Sequence, residues 1–271
     1  MGAGVAEVAA AAGYDVVLRS RHQDTADAML AGLAKSLARQ VEKEKRTQAE
    51  ADAIAGRVKA TTHLGELVDV DLVIESVVED LGVKKALFAE LDSVCKPGAI
   101  LATNTSTLPV VELAMATGRP DLVCGIHFFI PAPAMSLVEV VRPITAADAT
   151  VAAALAFAES CGKEPVEVKD QAGFIVNALL FPYLNNAVRL LEQGVATKEG
   201  IDAAMKGGCG FPLGPFALLD LVGLDTSVAI LDALYNEFRD PNYAAMPLLR
   251  RLVTSGQLGR KAGRGFYDYA R

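Results

Sequence analysis

Apolar and polar positions follow two different patterns along this chain of 271 residues. Before residue 170, short β-rich runs alternate with stretches in which apolar residues recur every three or four positions, as in amphipathic helices. The runs predict strands at residues 14–18, 70–76, 99–103, 122–128, 137–141 and 164–168, and helices at residues 1–12, 24–45, 83–93, 110–117 and 146–161. The segment T-Q-A-E from Thr47 indicates the N-cap of a further helix. This alternation predicts an α/β fold with a doubly wound, Rossmann-type parallel sheet.

After Asp170 the pattern becomes helical, with almost no strand signal. Helices are predicted at residues 174–193, 198–206, 215–238 and 244–255. We therefore expect two domains, an α/β domain at residues 1–169 and an all-helical domain at residues 170–271.

Composition and charge exclude several classes of function. The net charge of −7 argues against nonspecific nucleic-acid binding. Cys95, Cys124, Cys161 and Cys209 are scattered without a C-x-x-C pair, which indicates small buried side chains in a reducing compartment and no metal site. No apolar run approaches the roughly 20 residues that span a bilayer. We expect a cytoplasmic protein with no membrane or nucleic-acid partner.

The first residues, M-G-A-G-V-A-E-V, resemble the helix of a dinucleotide-binding βαβ unit. Such a unit begins with a strand and a G-x-G-x-x-G turn that faces the pyrophosphate. Here Gly2 corresponds to the third glycine, which permits close packing of helix and strand, and the strand and the first two glycines are absent. Because that strand is the central one of a doubly wound sheet, we expect that material preceding Met1 exists. An Ala-rich packed helix is the simpler alternative.

The next predicted strand ends at Leu18 and is followed by Arg19, Ser20 and Arg21. An acidic residue at this place binds the ribose hydroxyls of NAD, whereas arginine suits the 2′-phosphate of NADP. Two guanidinium groups around a small hydroxyl residue favour NADP over NAD. A solvated basic turn is the alternative.

His127 and Glu139 are the strongest candidates for chemistry. His127, one of three histidines, follows an apolar run and so emerges where a strand ends. Glu139 is the only charge in L-V-E-V-V, where burial is costly unless a partner compensates it. A carboxylate behind an imidazole fixes its tautomer and supports its protonated form. Either residue alone would be more simply structural, but the pair favours an acid/base dyad.

Several longer motifs resemble one enzyme family through nearly the whole chain. They are I-E-S-V-V-E-D-L-G-V-K-K-A-L-F at residues 74–88, A-T-N-T-S-T-L at 102–108, H-F-F at 127–129, G-F-I-V-N at 173–177, G-F-P-L-G-P-F-A-L-L-D-L-V-G-L-D at 210–225 and G-R-K-A-G-R-G-F-Y at 259–267. In this order and spacing they resemble the 3-hydroxyacyl-CoA dehydrogenase family. The resemblance implies a Rossmann-type cofactor domain and a helical domain for substrate and dimerisation.

The resemblance also implies a role for each matching position. In the catalytic set, His127 matches the base, Glu139 its orienting carboxylate, Ser106 the serine near the substrate hydroxyl and Asn177 an asparagine of the helical domain. The cofactor set that the resemblance implies comprises Glu79, Lys84, Ser106 and Lys261, and the arguments above add Gly2, Arg19, Ser20 and Arg21. Ser36 and Lys43 fall where the family binds coenzyme A, although a solvated charged helix face explains Lys43 nearly as well.

The expected reaction is the interconversion of (S)-3-hydroxybutyryl-CoA and acetoacetyl-CoA with NADP or NAD, by a homodimer joined through the helical domain. One alternative is a related dehydrogenase of a free hydroxy acid that does not use coenzyme A. The other is a non-catalytic relative of the fold. It is favoured by the missing glycine turn and by Ile130, which replaces the asparagine of the family's H-F-F-N-P near the cofactor.

Overall fold

Seven strands and eleven α-helices occur in residues 1–269, the part of the chain that this computed structural model describes. They belong to two compact units, residues 1–170 and residues 171–271. The strands, all in the first unit, are β1 (Val16–Arg19), β2 (Val58–Thr61), β3 (Leu72–Glu75), β4 (Ile100–Thr103), β5 (Val123–Phe128), β6 (Leu137–Arg142) and β7 (Glu164–Lys169). Its helices are α1 (Gly2–Ala11), α2 (Gln23–Glu42), α3 (Gln48–Gly56), α4 (Leu81–Val94), α5 (Val110–Ala114) and α6 (Asp148–Ser160).

The second unit contains helices and no strand among its described residues, apart from two isolated β-bridges near residues 259–268. Its helices are α7 (Val176–Glu192), α8 (Lys198–Cys209), α9 (Pro215–Val222), α10 (Leu224–Phe238) and α11 (Pro247–Thr254). Short 3-10 turns occur at Leu64–Leu67 and Pro120–Leu122 in the first unit and at Pro241–Tyr243 and Arg260–Ala262 in the second. No helix among residues 1–269 combines the length and apolarity needed to cross a membrane.

The strands form two sheets in the order β1-β2 and β3-β4-β5-β6-β7. Neighbouring strands are parallel except β5 and β6, which pair in the antiparallel direction. The predicted fold class, a Rossmann-type α/β domain followed by a helical domain, is confirmed. Strand β6 is the exception in this mostly parallel arrangement, because only 8 residues, 129–136, join it to β5. A parallel crossover needs a dozen or more residues.

The break between the two sheets falls at a specific place in the doubly wound order. In the classic order 3-2-1-4-5-6, the first strand lies between the second and the fourth. Here β1 and β2 correspond to strands 2 and 3 of that order, and β3, β4 and β5 correspond to strands 4, 5 and 6. Among residues 1–269, no strand corresponds to strand 1, which would lie between β1 and β3.

Helix α1 packs against both sheets. Val5 and Val8 belong to a buried cluster with residues of β4, β5 and β6. Ala6 and Ala10 belong to a second cluster, which contains Leu18 of β1 and apolar residues of α2 and α3. Alanine and valine on opposite faces of one short helix thus provide apolar surface to both sheets.

Local signals account for several element boundaries. The predicted N-cap at Thr47 is confirmed, since Thr47 and Glu50 form a complete capping box at the start of α3. The single helix expected at residues 215–238 is wrong, because Gly223 has φ 105° and separates α9 from α10. Strand β2 was not predicted from the sequence.

Two buried aspartates of the second unit hold its carboxyl-terminal segment. Asp220 accepts hydrogen bonds from the backbone N–H groups of Phe266 and Tyr267, both at 2.8 Å. Asp202 accepts from the N–H of Phe216 at 2.8 Å, at the start of α9, and from the hydroxyl of Tyr267 at 2.9 Å. Burial and the nearby Asp202 raise the pKa of Tyr267.

Candidate active site

His127 and Glu139 lie directly opposite each other in the β5–β6 ladder. Directly opposed side chains on one face of an antiparallel pair are close enough to interact. The imidazole Nδ1 lies 2.7 Å from Glu139 Oε2, and the Glu139 side chain is 0% exposed. The antiparallel turn therefore converts a separation of 12 residues into a buried contact.

The carboxylate determines which nitrogen of His127 can act as a base. A carboxylate only accepts, so Nδ1–H donates to Glu139 and the neutral ring keeps its lone pair on Nε2. Nε2 lies 3.1 Å from Ser106 Oγ, whose hydroxyl donates to it. The ring of Phe129 lies against the imidazole with 4.7 Å between centroids. His127, Glu139 and Ser106 are thus brought together as predicted.

Carboxylates hold the turn that carries Ser106 at both of its ends. Glu79 Oε1 accepts from the Ser106 N–H at 2.9 Å and from the hydroxyl of Thr105. Asp170 accepts from the N–H groups of Val110 and Val111, at 2.9 and 2.7 Å. Burial raises the pKa of Asp170, although these two N–H groups act in the opposite direction.

Lys84 lies beneath this turn and is 1% exposed. Its Nζ is 2.8 Å from Glu75 Oε1 and 3.2 Å from Glu79 Oε2. The ammonium group is therefore enclosed by two carboxylates, whereas the Glu79 side chain is 40% exposed. Lys84 and Glu79 are both predicted to bind the cofactor, and of these two only Glu79 is accessible to a ligand.

Five buried side-chain polar atoms have no hydrogen-bond partner among the described residues, and two of them lie at strand ends beside the sheet break. Arg19 Nε is at the end of β1, and Ser76 Oγ directly follows β3. Ligands of open α/β sheets bind at the carboxyl ends of strands, at the point where the strand order reverses. Unpaired donors at both sides of that point fit a dinucleotide. A carbon added at Gly2 would meet nothing within 4 Å, so the close packing expected of Gly2 is not observed, and its cofactor role stays a prediction.

A cavity of about 230 Å³ opens beside the start of α1. Ser36, Glu7 and Ile130 are among the residues that line it. Ile130 is 77% exposed, so it presents apolar surface where the family motif has asparagine. Lys43 is exposed at the end of α2, and its coenzyme A role stays a prediction.

Two of the predicted site residues belong to the second unit. Asn177 is buried in the first turn of α7. Lys261 Nζ lies 2.7 Å from the carboxylate of Asp225 within the same unit. Their proposed roles at the substrate and the cofactor stay predictions.

Sequence reasoning missed Glu75, Thr103 and Asp170. Glu75 shows the same signal that identified Glu139, a single charge at the end of the apolar run L-V-I. Asp170 and Thr103 carry no such signal, because aspartate and threonine are ordinary at strand ends. No group of three or more His, Cys, Asp or Glu side chains within residues 1–269 could hold a metal ion.

Comparison with known proteins gives matches over nearly the whole chain. Residues 1–171 match the 3-hydroxyacyl-CoA dehydrogenase NAD binding domain, and residues 173–269 match the C-terminal domain of the same family. The 3-hydroxybutyryl-CoA dehydrogenase of Clostridioides difficile is 47% identical over 269 residues, covering 99% of this chain and 96% of that protein. The human mitochondrial hydroxyacyl-coenzyme A dehydrogenase is 42% identical over 276 residues, covering 99% and 88%.

Solved structures agree with this result. FadB2 of M. tuberculosis has a TM-score of 0.98 and 47% identity, covering 100% of this chain and 95% of that chain. The (S)-3-hydroxybutyryl-CoA dehydrogenase PaaH1 from Ralstonia eutropha has a TM-score of 0.97 and 40% identity, covering 100% and 96%.

The Rossmann-type domain and the histidine–glutamate pair, together with these matches, define a dehydrogenase with an NAD-binding domain. The chain belongs to the 3-hydroxyacyl-CoA dehydrogenase family.

Proposed function

We propose that this chain interconverts (S)-3-hydroxybutyryl-CoA and acetoacetyl-CoA, with His127 as the acid/base. The observation that carries the proposal is the buried contact between His127 and Glu139, in which the imidazole Nδ1 lies 2.7 Å from the carboxylate. Relatives at 47% and 40% identity carry the name of this activity, which favours a CoA thioester over a free hydroxy acid or a non-catalytic role.

The chemistry follows from the geometry around Nε2. In oxidation, Nε2 takes the proton of the substrate hydroxyl, and Glu139 stabilises the imidazolium that forms. Ser106 can donate its hydroxyl to the substrate oxygen as the charge on that oxygen changes. In reduction, the imidazolium returns the proton. A bound nicotinamide dinucleotide supplies the acceptor or donor of the hydride.

The substrate experiment compares acetoacetyl-CoA with acetoacetate in the reducing direction. We expect kcat/KM to be far higher with the thioester. Equal rates with acetoacetate would support a free-acid dehydrogenase. Absence of turnover, together with absence of cofactor binding in a titration, would support the non-catalytic alternative.

The coenzyme A part of the proposal rests on Ser36, which lines the cavity, and on Lys43, a cation at the end of the same helix. Lys43→Ala should raise KM for acetoacetyl-CoA by about threefold to tenfold, because one exposed charge contact with phosphate is lost. Lys35→Ala, at another exposed position of α2, is the matched control. Equal KM values in the two variants would show that Lys43 does not bind the substrate.

The cofactor part of the proposal is a preference for NADP over NAD, although the matching family domain is described as NAD binding. Arg19 carries a buried Nε with no partner among the described residues, beside the small side chain of Ser20. A 2′-phosphate would give that guanidinium a charged acceptor. Ser20→Asp should move the preference in kcat/KM toward NADH by repelling the phosphate and by accepting from the ribose. An unmodified enzyme that prefers NADH and does not respond to Ser20→Asp would contradict this.

We also propose that the protein is a cytoplasmic homodimer. Exposed apolar side chains on the helical unit, such as Leu179 and Val195, at 72% and 65% exposure, support self-association. The four cysteines are free, which supports a reducing compartment, although Cys161 is only partly buried and Cys209 is exposed, contrary to the buried positions expected. Sedimentation equilibrium gives the subunit number. A monomer at micromolar concentration would contradict the dimer.

A further inference from the structure

A chain of buried polar groups leads from Glu75 to the catalytic histidine. The carboxylate of Glu75, which is 4% exposed, accepts hydrogen bonds from three directions. Lys84 Nζ donates to its two oxygens at 2.8 and 3.0 Å, and the hydroxyl of Thr103 donates at 2.8 Å. The N–H of Val77 donates at 2.5 Å. Both oxygens of this carboxylate are therefore occupied by donors of the protein itself.

Glu79 connects this buried set to the catalytic turn. One of its oxygens pairs with Lys84 at 3.2 Å, and the other accepts from the Thr105 hydroxyl and the Ser106 N–H. Ser106 Oγ then reaches His127 Nε2 at 3.1 Å. The position of Ser106 thus depends on Glu79. The position of Glu79 in turn depends on the ammonium of Lys84, which is shared between the carboxylates of Glu75 and Glu79.

We propose that Glu75 is a positioning residue of the dehydrogenase reaction and acts on Ser106 through Lys84 and Glu79. This inference rests on the proposed function. Glu75 does not contact the substrate or the cofactor itself, because donors of the protein occupy both of its oxygens. The negative charge of Glu75 compensates part of the positive charge of the Lys84 ammonium. Glu79 therefore contacts this ammonium with only one of its two oxygens. The second oxygen of Glu79 then remains on the turn.

Removal of the Glu75 charge changes how the Lys84 ammonium is shared between the two carboxylates. A buried ammonium that loses one of two carboxylates is uncompensated and attracts the other more strongly. In Glu75→Gln, Lys84 therefore draws both oxygens of Glu79, and the Ser106 N–H loses its acceptor. We expect kcat/KM to fall by about tenfold, the effect of a lost hydrogen bond at the reacting oxygen.

The first experiment measures hydrogen exchange at the Ser106 amide and requires no turnover. Glu75→Gln should speed this exchange, because the hydrogen bond to Glu79 is lost. The matched control is Asp92→Asn, which also removes a carboxylate that accepts hydrogen bonds from a backbone N–H and from a cationic side chain. Asp92 lies near the end of α4, whereas Lys84 lies near its start. The control should leave exchange at Ser106 unchanged. Equal exchange in Glu75→Gln and the unmodified protein would overturn the proposal.

The second experiment is a double-mutant cycle on kcat/KM with Ser106→Ala. If Glu75 acts through Ser106, Glu75→Gln should have little further effect once the serine is absent. Asp92→Asn should have the same small effect with or without Ser106. Independent, multiplicative losses for Glu75→Gln and Ser106→Ala would show a purely structural role. An unmodified enzyme inactive on acetoacetyl-CoA would refute the proposed function, while the exchange experiment still decides the position of Ser106.

A second pair of variants tests the same path if Glu75→Gln does not fold. Thr103→Val keeps the side-chain shape but removes the hydroxyl, which donates to Glu75 at 2.8 Å and accepts from the N–H of Thr105 at 3.2 Å. Thr103→Ser keeps the hydroxyl. We expect the valine variant to lose kcat/KM and to speed exchange at Ser106, and the serine variant to retain both properties. Equal behaviour of the two variants would overturn the proposal.

Discussion

At the scale of single residues, the imidazole of His127 contacts Glu139 through Nδ1 and Ser106 through Nε2. His127→Gln should lower kcat by at least about 100-fold with little change in KM, because general acid–base help is lost. Glu139→Gln should cause a smaller loss in the same direction. Steady-state rates with acetoacetyl-CoA measure both. His22→Gln, at an exposed histidine, is the control, and near-normal turnover of His127→Gln would exclude the dyad.

Ile130 gives a second prediction at this scale. Its side chain is 77% exposed at the rim of the cavity beside α1, so a polar replacement costs little burial. Ile130→Asn should lower the cofactor KM by about threefold to tenfold, the effect of one added hydrogen bond, with kcat little changed. Ile144→Asn exchanges another exposed isoleucine, at 95% exposure, and should change neither constant. A cofactor KM that does not respond to Ile130→Asn would place this side chain outside the cofactor site.

The residues that could be predicted from the sequence share a physical reason. A lone charge in an apolar run must be paired when it is buried, and this argument located Glu139 and its histidine. The same argument applied to L-V-I-E would have located Glu75. Lys84 could be assigned to the site only by resemblance, because a lysine in a helix usually faces solvent. Its burial between two carboxylates depends on contacts that spacing does not reveal.

At the scale of elements, the end of α4 is joined to the segment before β5 through Asp92. The N–H of Gly118 donates to Asp92 at 2.7 Å and Arg119 Nε donates at 2.6 Å. Burial acts to raise the pKa of Asp92, but these two donors outweigh it and hold the pKa below 3.8. A depressed pKa gives stability that is present above the ordinary pKa and is lost as the pH falls through the folded-state value.

Asp92→Asn should therefore reduce the free energy of unfolding at neutral pH and flatten its decline at pH values below 3.8. Urea unfolding of both proteins across the acid range measures this difference. Glu90→Gln, at an exposed position two residues earlier, is the control. Parallel pH profiles for Asp92→Asn and the unmodified protein would show that this carboxylate does not link the two elements.

Elements with strong periodicity could be predicted, and short or interrupted ones could not. Strand β2 is V-K-A-T, four residues with a lysine in the middle, and its pairing with β1 supplies what its own pattern lacks. The helix break at Gly223 is not visible in the sequence, because apolar residues flank the glycine on both sides and glycine is only moderately unfavourable within a helix. Only its positive φ shows that the chain changes direction there.

At the scale of the whole molecule, the two sheets leave β1 and β3 without a strand between them in the described residues. We expect that a segment with a Val-rich strand and a G-x-G turn, fused ahead of Met1, pairs with both edges. It should raise Tm by several degrees, since about 1 kcal/mol corresponds to 2–4 °C in a chain of this size, and should tighten cofactor binding. Differential scanning calorimetry and a cofactor titration measure the two effects.

The control is the same segment with prolines at the two central strand positions, which cannot donate to either edge. It should leave Tm and cofactor binding as they are in the unextended chain. If both fusions behave alike, the edges of β1 and β3 do not accept a strand.

The direct opposition of His127 and Glu139 across one hairpin has a consequence for modularity. Both groups, and the register that aligns them, are encoded in residues 123–142, whereas the predicted cofactor positions are drawn from distant parts of the sequence. Contacts of short sequence separation form early in folding, and they travel together when a segment is exchanged. The contact between the two side chains is therefore contained in one segment, and we expect a transplant of residues 123–142 onto another dinucleotide-binding sheet to keep the imidazole and the carboxylate paired.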